Sequence, residues 1–248
     1  MNRQRFVQLS IGGLAGVHSP TWPLAAWGSL TGPFRQELTV DAGRLARSMR
    51  MLATFGANDA GGIDRVAFSD ANVEALDWIA QLLSDAGFST EIDLAGNLIA
   101  RKAGTDSSLL PLMFGSHIDS VPGGGNYDGQ VGSMSSVEVA ATFAAAGIVT
   151  RHPLEIAIFS NEEGGKTGSR ALAGEVEAFE LDIETASGLT IGEGLKRLGG
   201  DPDRLGDARR ERGSLAAFLE LHIEQGAVLD ADGIDIGVVE GIVGIMRW

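Results

Sequence analysis

Cysteine is absent from the 248 residues of this chain. Disulfides and thiolate metal sites are therefore excluded, so any metal ion must be held by His, Asp or Glu. That donor set suits a catalytic site better than a structural one. Basic residues are scarce as well. Lys and Arg number 19 against 33 Asp and Glu, giving a formal net charge of -14, and no Lys/Arg-rich block occurs. Nucleic-acid binding needs a basic footprint, and the composition argues against it. The acidic balance speaks for solubility rather than for an acidic partner. No run of about 18 apolar residues exists, so neither a transmembrane helix nor a membrane partner is expected. There is no internal repeat.

What is present is enough for a packed core: 44% of residues are apolar. The length fits one large domain or two small ones. Glycine, at 35 residues, is about twice its usual share of ~7%, and it clusters in loops rather than in a repeat. At the N-terminus Arg3 and Arg5 precede Phe6, a weak apolar stretch from Val7 to Val17, and Leu24-Ala25-Ala26. This is the layout of an export leader with a small-residue cleavage site. It resembles a twin-arginine leader, although Gln4 separates the arginines. A disordered tail or a wrongly assigned start codon is the alternative. Residues 18–37, with Pro20, Pro23, Gly28, Gly32 and Pro33, read as a linker. Residues 1–37 are thus taken as leader or linker. Cytoplasmic residence is expected, with periplasmic export as the alternative.

Beyond residue 37 helices alternate with short apolar segments. Asp41 can cap a helix with Leu45, Met49 and Leu52 on one face. A Gly-rich turn follows at Gly61-Gly62. Asp70 opens a second helix bearing Val73, Leu76, Ala80 and Leu83, stopped by Gly87. Strands are predicted at Asn97–Ala100, Leu109–Phe114, Leu154–Phe159 and Ala217–Ile223, with one or two more within Ile234–Ile245. A helix over about Ser133–Ala146 separates the second and third. Ile191–Leu198 can form a short helix inside a polar stretch from Glu175 to Arg212. The pattern predicts an α/β fold, a mixed and largely parallel sheet flanked by helices.

Ligands of open α/β sheets gather at the carboxyl ends of strands. Three such ends carry metal-type donors: His117 after Leu109–Phe114, Glu162 and Glu163 after Leu154–Phe159, and His222 near the end of Ala217–Ile223. His117 and Asp119 point the same way in an extended segment, so Asp119 can steady the imidazole. A core histidine capped by an aspartate is the other reading of that pair. The loop Gly123-Gly124-Gly125-Asn126-Tyr127-Asp128-Gly129 can fold tightly around a small object. The two oxygens of Asp128 could bridge two cations. No Lys-Ser/Thr follows, which argues against a Walker-type phosphate loop. Of Glu162 and Glu163, one can bind a metal while the other handles a proton, although an isolated pair of this kind is usually a solvated surface pair. Gln225 could equally close a hydrogen-bond network. His18 and His152 receive no role.

Four linked segments carry a resemblance: Gly115-Ser116-His117-Ile118-Asp119-Ser120-Val121, Gly124-Gly125-Asn126-Tyr127-Asp128-Gly129, Asn161-Glu162-Glu163-Gly164 with Gly168-Ser169-Arg170, and Leu221-His222-Ile223-Glu224-Gln225-Gly226. Together they resemble the amidase/carbamoylase branch of the M20 metallopeptidase family, which includes N-carbamoyl-L-amino-acid hydrolases, beta-ureidopropionases and allantoate amidohydrolases. The likeness runs from about Leu38 to the C-terminal end. It implies a zinc-peptidase-like catalytic domain holding two divalent ions, Zn, Mn or Co. His117, Asp128 and His222 would hold one ion. Asp128, bridging, and Glu163 would hold the second. Glu162 would be the general base and acid, and Gln225 a substrate-binding or site-shaping contact. The substrate would be a small N-carbamoyl amino acid or another ureido compound.

The resemblance also implies differences. Members are longer, with an inserted lid and dimerisation domain followed by a return to the catalytic domain that brings a last metal-binding histidine. Residues 38–248 would be the N-terminal part of the catalytic domain, inactive in isolation, and the full-length form a homodimer. A Gln near Ile245, associated with allantoate amidohydrolases, is missing, which leans the reading toward carbamoylases. The alternatives are an allantoate amidohydrolase, an aminoacylase or peptidase of the same superfamily, and a non-catalytic metal-binding fragment.

Overall fold

In the computed structural model the described residues are 38–241. The expected leader or linker, and the end of the Ile234–Ile245 segment, lie outside them. The first helix, α1 (Ala42–Leu52), starts where Asp41 accepts a hydrogen bond from the Arg44 N–H at 2.8 Å. Arg44 then reaches across to Glu138 on α3 (Gln130–Ala145) with two bonds of 2.7 Å. The same carboxylate accepts from the Asp41 N–H at 2.8 Å and from Thr142 Oγ1 at 3.0 Å. One buried acid therefore fixes the start of α1 against the middle of α3.

The second helix, α2, spans Asp70–Asp85, and its cap is Ser69, one residue before the expected opening. Gly87 adopts φ +81°, and the Phe88 N–H turns back to the Leu83 carbonyl, which closes the helix as expected. Next comes a hairpin, β1 (Ser89–Ile92) and β2 (Leu98–Lys102). Its turn is organised by Asp93, which accepts from the Ala95 and Asn97 N–H groups and from Asn97 Nδ2. Neither the short, polar β1 nor its pairing was legible in the pattern.

Strand β3 (Leu112–His117) begins three residues later than expected and runs three residues further. Pro111 has no N–H for a ladder, so pairing starts after it. At the other end Gly115 lets the chain stay flush with β4 (Leu154–Phe159), since a Cβ there would lie 1.9 Å from the Ala157 oxygen. His117 is consequently the last strand residue, paired with Phe159, rather than part of the following loop. Helix α3 starts at Gln130, ahead of the expected Ser133, directly after the loop closes. Two short helices, α4 (Thr167–Ala173) and α5 (Ile191–Leu198), follow. The bounds of α5 match the expectation.

Strand β5 is limited to Ala217–Leu219 and pairs only with Leu112–Phe114. The predicted extension to Ile223 does not form, because the chain departs at Glu220. A one-turn helix, α6 (Val228–Asp232), follows, and residues 234–241 form no strand.

The sheet order is β1-β2-β4-β3-β5. β3 is parallel to both β4 and β5, while β2 is antiparallel to β4 and to β1. The sheet is thus mixed, and only β2 opposes the common direction. One face, with Leu98, Ala100, Ile156 and Ile158, packs against Ile79, Leu83, Met134 and Val137 of the helices. Each fully buried Leu or Ile there contributes about 1.5–3 kcal/mol. The other face carries a smaller apolar cluster of Ile99, Met113 and Ala157.

The Glu138 clamp yields a test of this packing. Burial alone would raise its carboxyl; the bonds from Arg44, the Asp41 N–H and Thr142 outweigh that and hold it below its ordinary 4.5. A carboxyl depressed in the folded state stabilises fully above its unfolded value, and the contribution is lost as pH falls through the folded value. Glu138→Gln should therefore lower stability by about 1.5–3 kcal/mol at neutral pH, measured by urea unfolding. The deficit should shrink in acid as the wild type loses the same interaction.

Candidate metal centre

Three chain segments supply the candidate site, and each is fixed by local structure. The first is the end of β3. His117 is 2% exposed. Its Nδ1 lies 3.1 Å from the Asp119 carbonyl oxygen and 3.4 Å from Asp119 Oδ1. An Nδ1–H donated there leaves the Nε2 lone pair free, the tautomer a metal ligand needs. Helix α3 grips this strand end from its first turn: Ser133 Oγ donates to the His117 carbonyl at 2.7 Å. Gln130 Nε2 approaches the Ile118 carbonyl at 3.5 Å.

The Gly-rich loop then returns Asp128 to His117. Gly129, at φ +72°, lies against the imidazole, and a Cβ there would fall 2.2 Å from His117 Nε2. Glycine meets both demands: the left-handed backbone and the contact with the ring. Asp128 Oδ1 stands 3.8 Å from His117 Nε2. That separation is too long for a hydrogen bond and of the size that an intervening cation leaves.

The second segment follows β4. Ser160 is pinned by its N–H to Asn97 Oδ1 at 3.0 Å and by its hydroxyl to the Ala95 carbonyl at 2.6 Å. Asn161 takes a left-handed φ of 49°, a region asparagine tolerates better than most residues. This bend sends Glu162 and Glu163 different ways. Glu162 Oε2 comes to 3.7 Å from His117 Nε2, and its other oxygen to 3.9 Å from Lys166 Nζ. Glu163 donates its N–H to Asp119 Oδ2 at 3.1 Å. Burial, then the charge of Asp128, raises the Glu163 carboxyl above its ordinary value.

The third segment leaves β5. Ser116 Oγ donates to Glu220 Oε1 at 2.6 Å. The Leu221 carbonyl fits over Gly132, where a Cβ would meet it at 2.2 Å. These two contacts bring His222 Nε2 to 3.0 Å from Asp128 Oδ1. The two imidazole rings are stacked with centroids 6.3 Å apart. Gln225, with φ +50°, donates from Nε2 to Asp128 Oδ2.

The structure thus gathers His117, Asp128 and His222, whose donor atoms lie within 4.8 Å of one another. Glu162 is at the edge of this trio, Asp119 is behind His117, and Gln225 holds the outer oxygen of Asp128. Glu163 joins through its backbone contact with Asp119; its carboxylate is outside the trio. The roles of Ser116, Glu220 and Gly132 in seating His222 were not legible in the sequence, because each acts only through a partner far away in the chain.

The electrostatics favour a cation. Burial alone would depress His117, yet Asp119, then Glu162 and Asp128, lift it to about 9. Among the described residues Asp119 Oδ1 is buried with no hydrogen-bond partner. Two imidazoles and an array of carboxylates around so little volume match the N/O donor set of divalent metals. Replacing Gly129 with Ala tests this geometry. It should lower stability by about 1–2 kcal/mol for the left-handed backbone and displace the His117 ring, seen as a shifted imidazole NMR resonance. Gly125→Ala, where no atom of the described residues lies within 4 Å of the added methyl, should leave that resonance in place.

Comparisons with known proteins identify the family of the chain. A family model described as Peptidase family M20/M25/M40 matches residues 113–243. The chain is 41% identical over 208 residues to an N-carbamoyl-L-amino acid amidohydrolase of Geobacillus stearothermophilus, covering 82% of this chain and 51% of that one. It is 32% identical over 237 residues to a ureidoglycolate hydrolase of Arabidopsis thaliana, covering 91% and 48%. Among solved structures, a hydantoinase/carbamoylase family amidase from Burkholderia ambifaria matches with TM-score 0.71 and 39% identity, over 79% of this chain and 49% of that one. The chain spans about half the length of the relatives it matches. With over half of its residues inside the family match, and with its fold shared by a hydantoinase/carbamoylase amidase, the chain belongs to peptidase family M20/M25/M40.

Proposed function

We propose that this chain carries the metal centre of a hydrolase of linear C–N bonds, acting on an N-carbamoyl amino acid. The observation that carries the reading is the convergence of His117 and His222 on Asp128 Oδ1, at 3.8 and 3.0 Å, with Glu162 alongside. Residues 38–248 are taken as part of the catalytic domain. His117, Asp128 and His222 would hold one divalent ion, with Asp128 and Glu163 holding a second. Bound there, Zn, Mn or Co ions supply Lewis acidity at the substrate carbonyl and stabilise the negative charge that develops on its oxygen.

The chain's own residues supply the rest. Glu162 accepts a proton from the water that attacks the ureido carbonyl carbon, and later delivers a proton to the leaving nitrogen. Its place beside the trio suits a group that exchanges protons with the attacking water. Asp119 orients His117, and Gln225 orients Asp128. The products would be the free amino acid, carbon dioxide and ammonia. The substrate class rests on relatives that act on carbamoyl and ureido compounds. The ureidoglycolate hydrolase relative supports a second reading, the same chemistry on a ureidoglycolate- or allantoate-type substrate. Ammonia release from N-carbamoyl amino acids against release from allantoate separates the two.

In the intact protein, Glu162→Gln should take up metal as the wild type does yet lose about 10²-fold or more in turnover. Metal content and ammonia release are measured on the same samples. Loss of metal in this variant would reverse the roles of Glu162 and Glu163.

A further inference from the structure

Arg65 is buried to 0% exposure, and no carboxylate forms an ion pair with it among the described residues. Its guanidinium instead donates to three backbone carbonyls. Nη1 reaches Leu52 and Phe55, each at 2.8 Å, and Nε reaches Ile118 at 2.7 Å. Leu52 is the last residue of α1, so the cation sits at the negative end of that helix and occupies carbonyls the helix leaves free. Ile118 lies between His117 and Asp119. One side chain therefore joins the end of a helix to the turn that presents both residues.

The segment around Arg65 follows the same turn. The Arg65 carbonyl accepts from the Ser120 N–H at 3.0 Å, and Ile63 exchanges both backbone bonds with Gly124. Asp64 Oδ1 accepts from the Gly123 N–H at 2.6 Å. Residues 63–65 thus run as a strap along the loop from Asp119 to Gly124. Burial pushes the guanidinium down to about 10, and the charge of Asp119 offsets part of that.

Filling the space alone would not call for a cation. Burying one is expensive, and an apolar side chain of similar volume packs as well. What such a side chain cannot do is hold three carbonyls that point from different elements, which a planar fork with several donors can. We propose that Arg65 is a positioning residue of the metal centre, fixing the His117–Asp119 turn through the Ile118 carbonyl. This rests on the reading of His117 and Asp128 as metal ligands.

The test is Co²⁺ binding to the intact protein, followed by dialysis and by visible absorption, for wild type, Arg65→Lys, Arg65→Met and Glu138→Gln. Lysine keeps the charge but not the fork. Folding is monitored by near-UV circular dichroism and urea midpoints. In folded Arg65→Lys the dissociation constant for Co²⁺ should rise roughly tenfold to hundredfold, as for other residues that orient a ligand, with altered absorption bands. Glu138→Gln, which removes bonds to Asp41, Arg44 and Thr142 but none to the turn or to Arg65, should keep the wild-type affinity and spectrum. Wild-type affinity and spectrum in folded Arg65→Lys would overturn the proposal. So would failure of both Arg65 variants to fold where Glu138→Gln folds, since Arg65 would then be a folding determinant. No cobalt uptake by the wild type would instead sink the metal reading itself, and the proposal with it.

Discussion

The arrangement depends on crowding negative charge around one buried imidazole. Asp119, Asp128 and Glu162 all lie within 3.8 Å of a His117 nitrogen, and His222 closes on Asp128 from the other side. Carboxylates this close repel one another, and water cannot relieve the repulsion on the enclosed side of His117. The cluster is sustained only if positive charge shares the space. A protonated histidine supplies one unit, and a divalent cation supplies two while using the same lone pairs. Much of the architecture keeps these groups from moving apart.

The fold does this with strand ends and with helix α3. β3 and β4 run side by side in register from Leu112 and Leu154 to His117 and Phe159. The donors that follow them are therefore level with one another. Helix α3 begins where the Asp128 loop ends, and its first turn holds the His117 and Ile118 carbonyls. The His222 side is held more lightly. β5 pairs over three residues, and Phe218 and Leu219 are 42% and 64% exposed. Its position rests on the Ser116–Glu220 bond and on the close approach of Leu221 to Gly132. The site thus joins a buried half, His117 and Asp119, to a half whose place is set by a few contacts.

Much of this was legible in the sequence. The strand Leu154–Phe159 and the helix Ile191–Leu198 have the expected bounds, since apolar runs and glycine or polar stops mark them directly. His117 and His222 stood out because the chain has only four histidines, and Asp128 because its loop is glycine-rich. The proline before β3 and the glycine within it moved that strand toward His117, an effect of backbone chemistry that hydrophobic pattern does not register. β5 ends at Leu219, short of the apolar run that marked it in the sequence. For Ser116, Glu220 and Arg65 the role was not legible, for a common reason. Each is bound to a group at least ten residues away in the chain, and their own residue types are ordinary.

The central claim is that acids and imidazoles remote in sequence meet to hold divalent cations, with Asp128 shared between them. Equilibrium dialysis of the intact protein against zinc, manganese or cobalt, with metal counted per chain, tests it most directly. The account predicts two ions per wild-type chain and loss of both when Asp128 is replaced by Ala. Absence of uptake by the wild type, or uptake indifferent to that replacement, would contradict it.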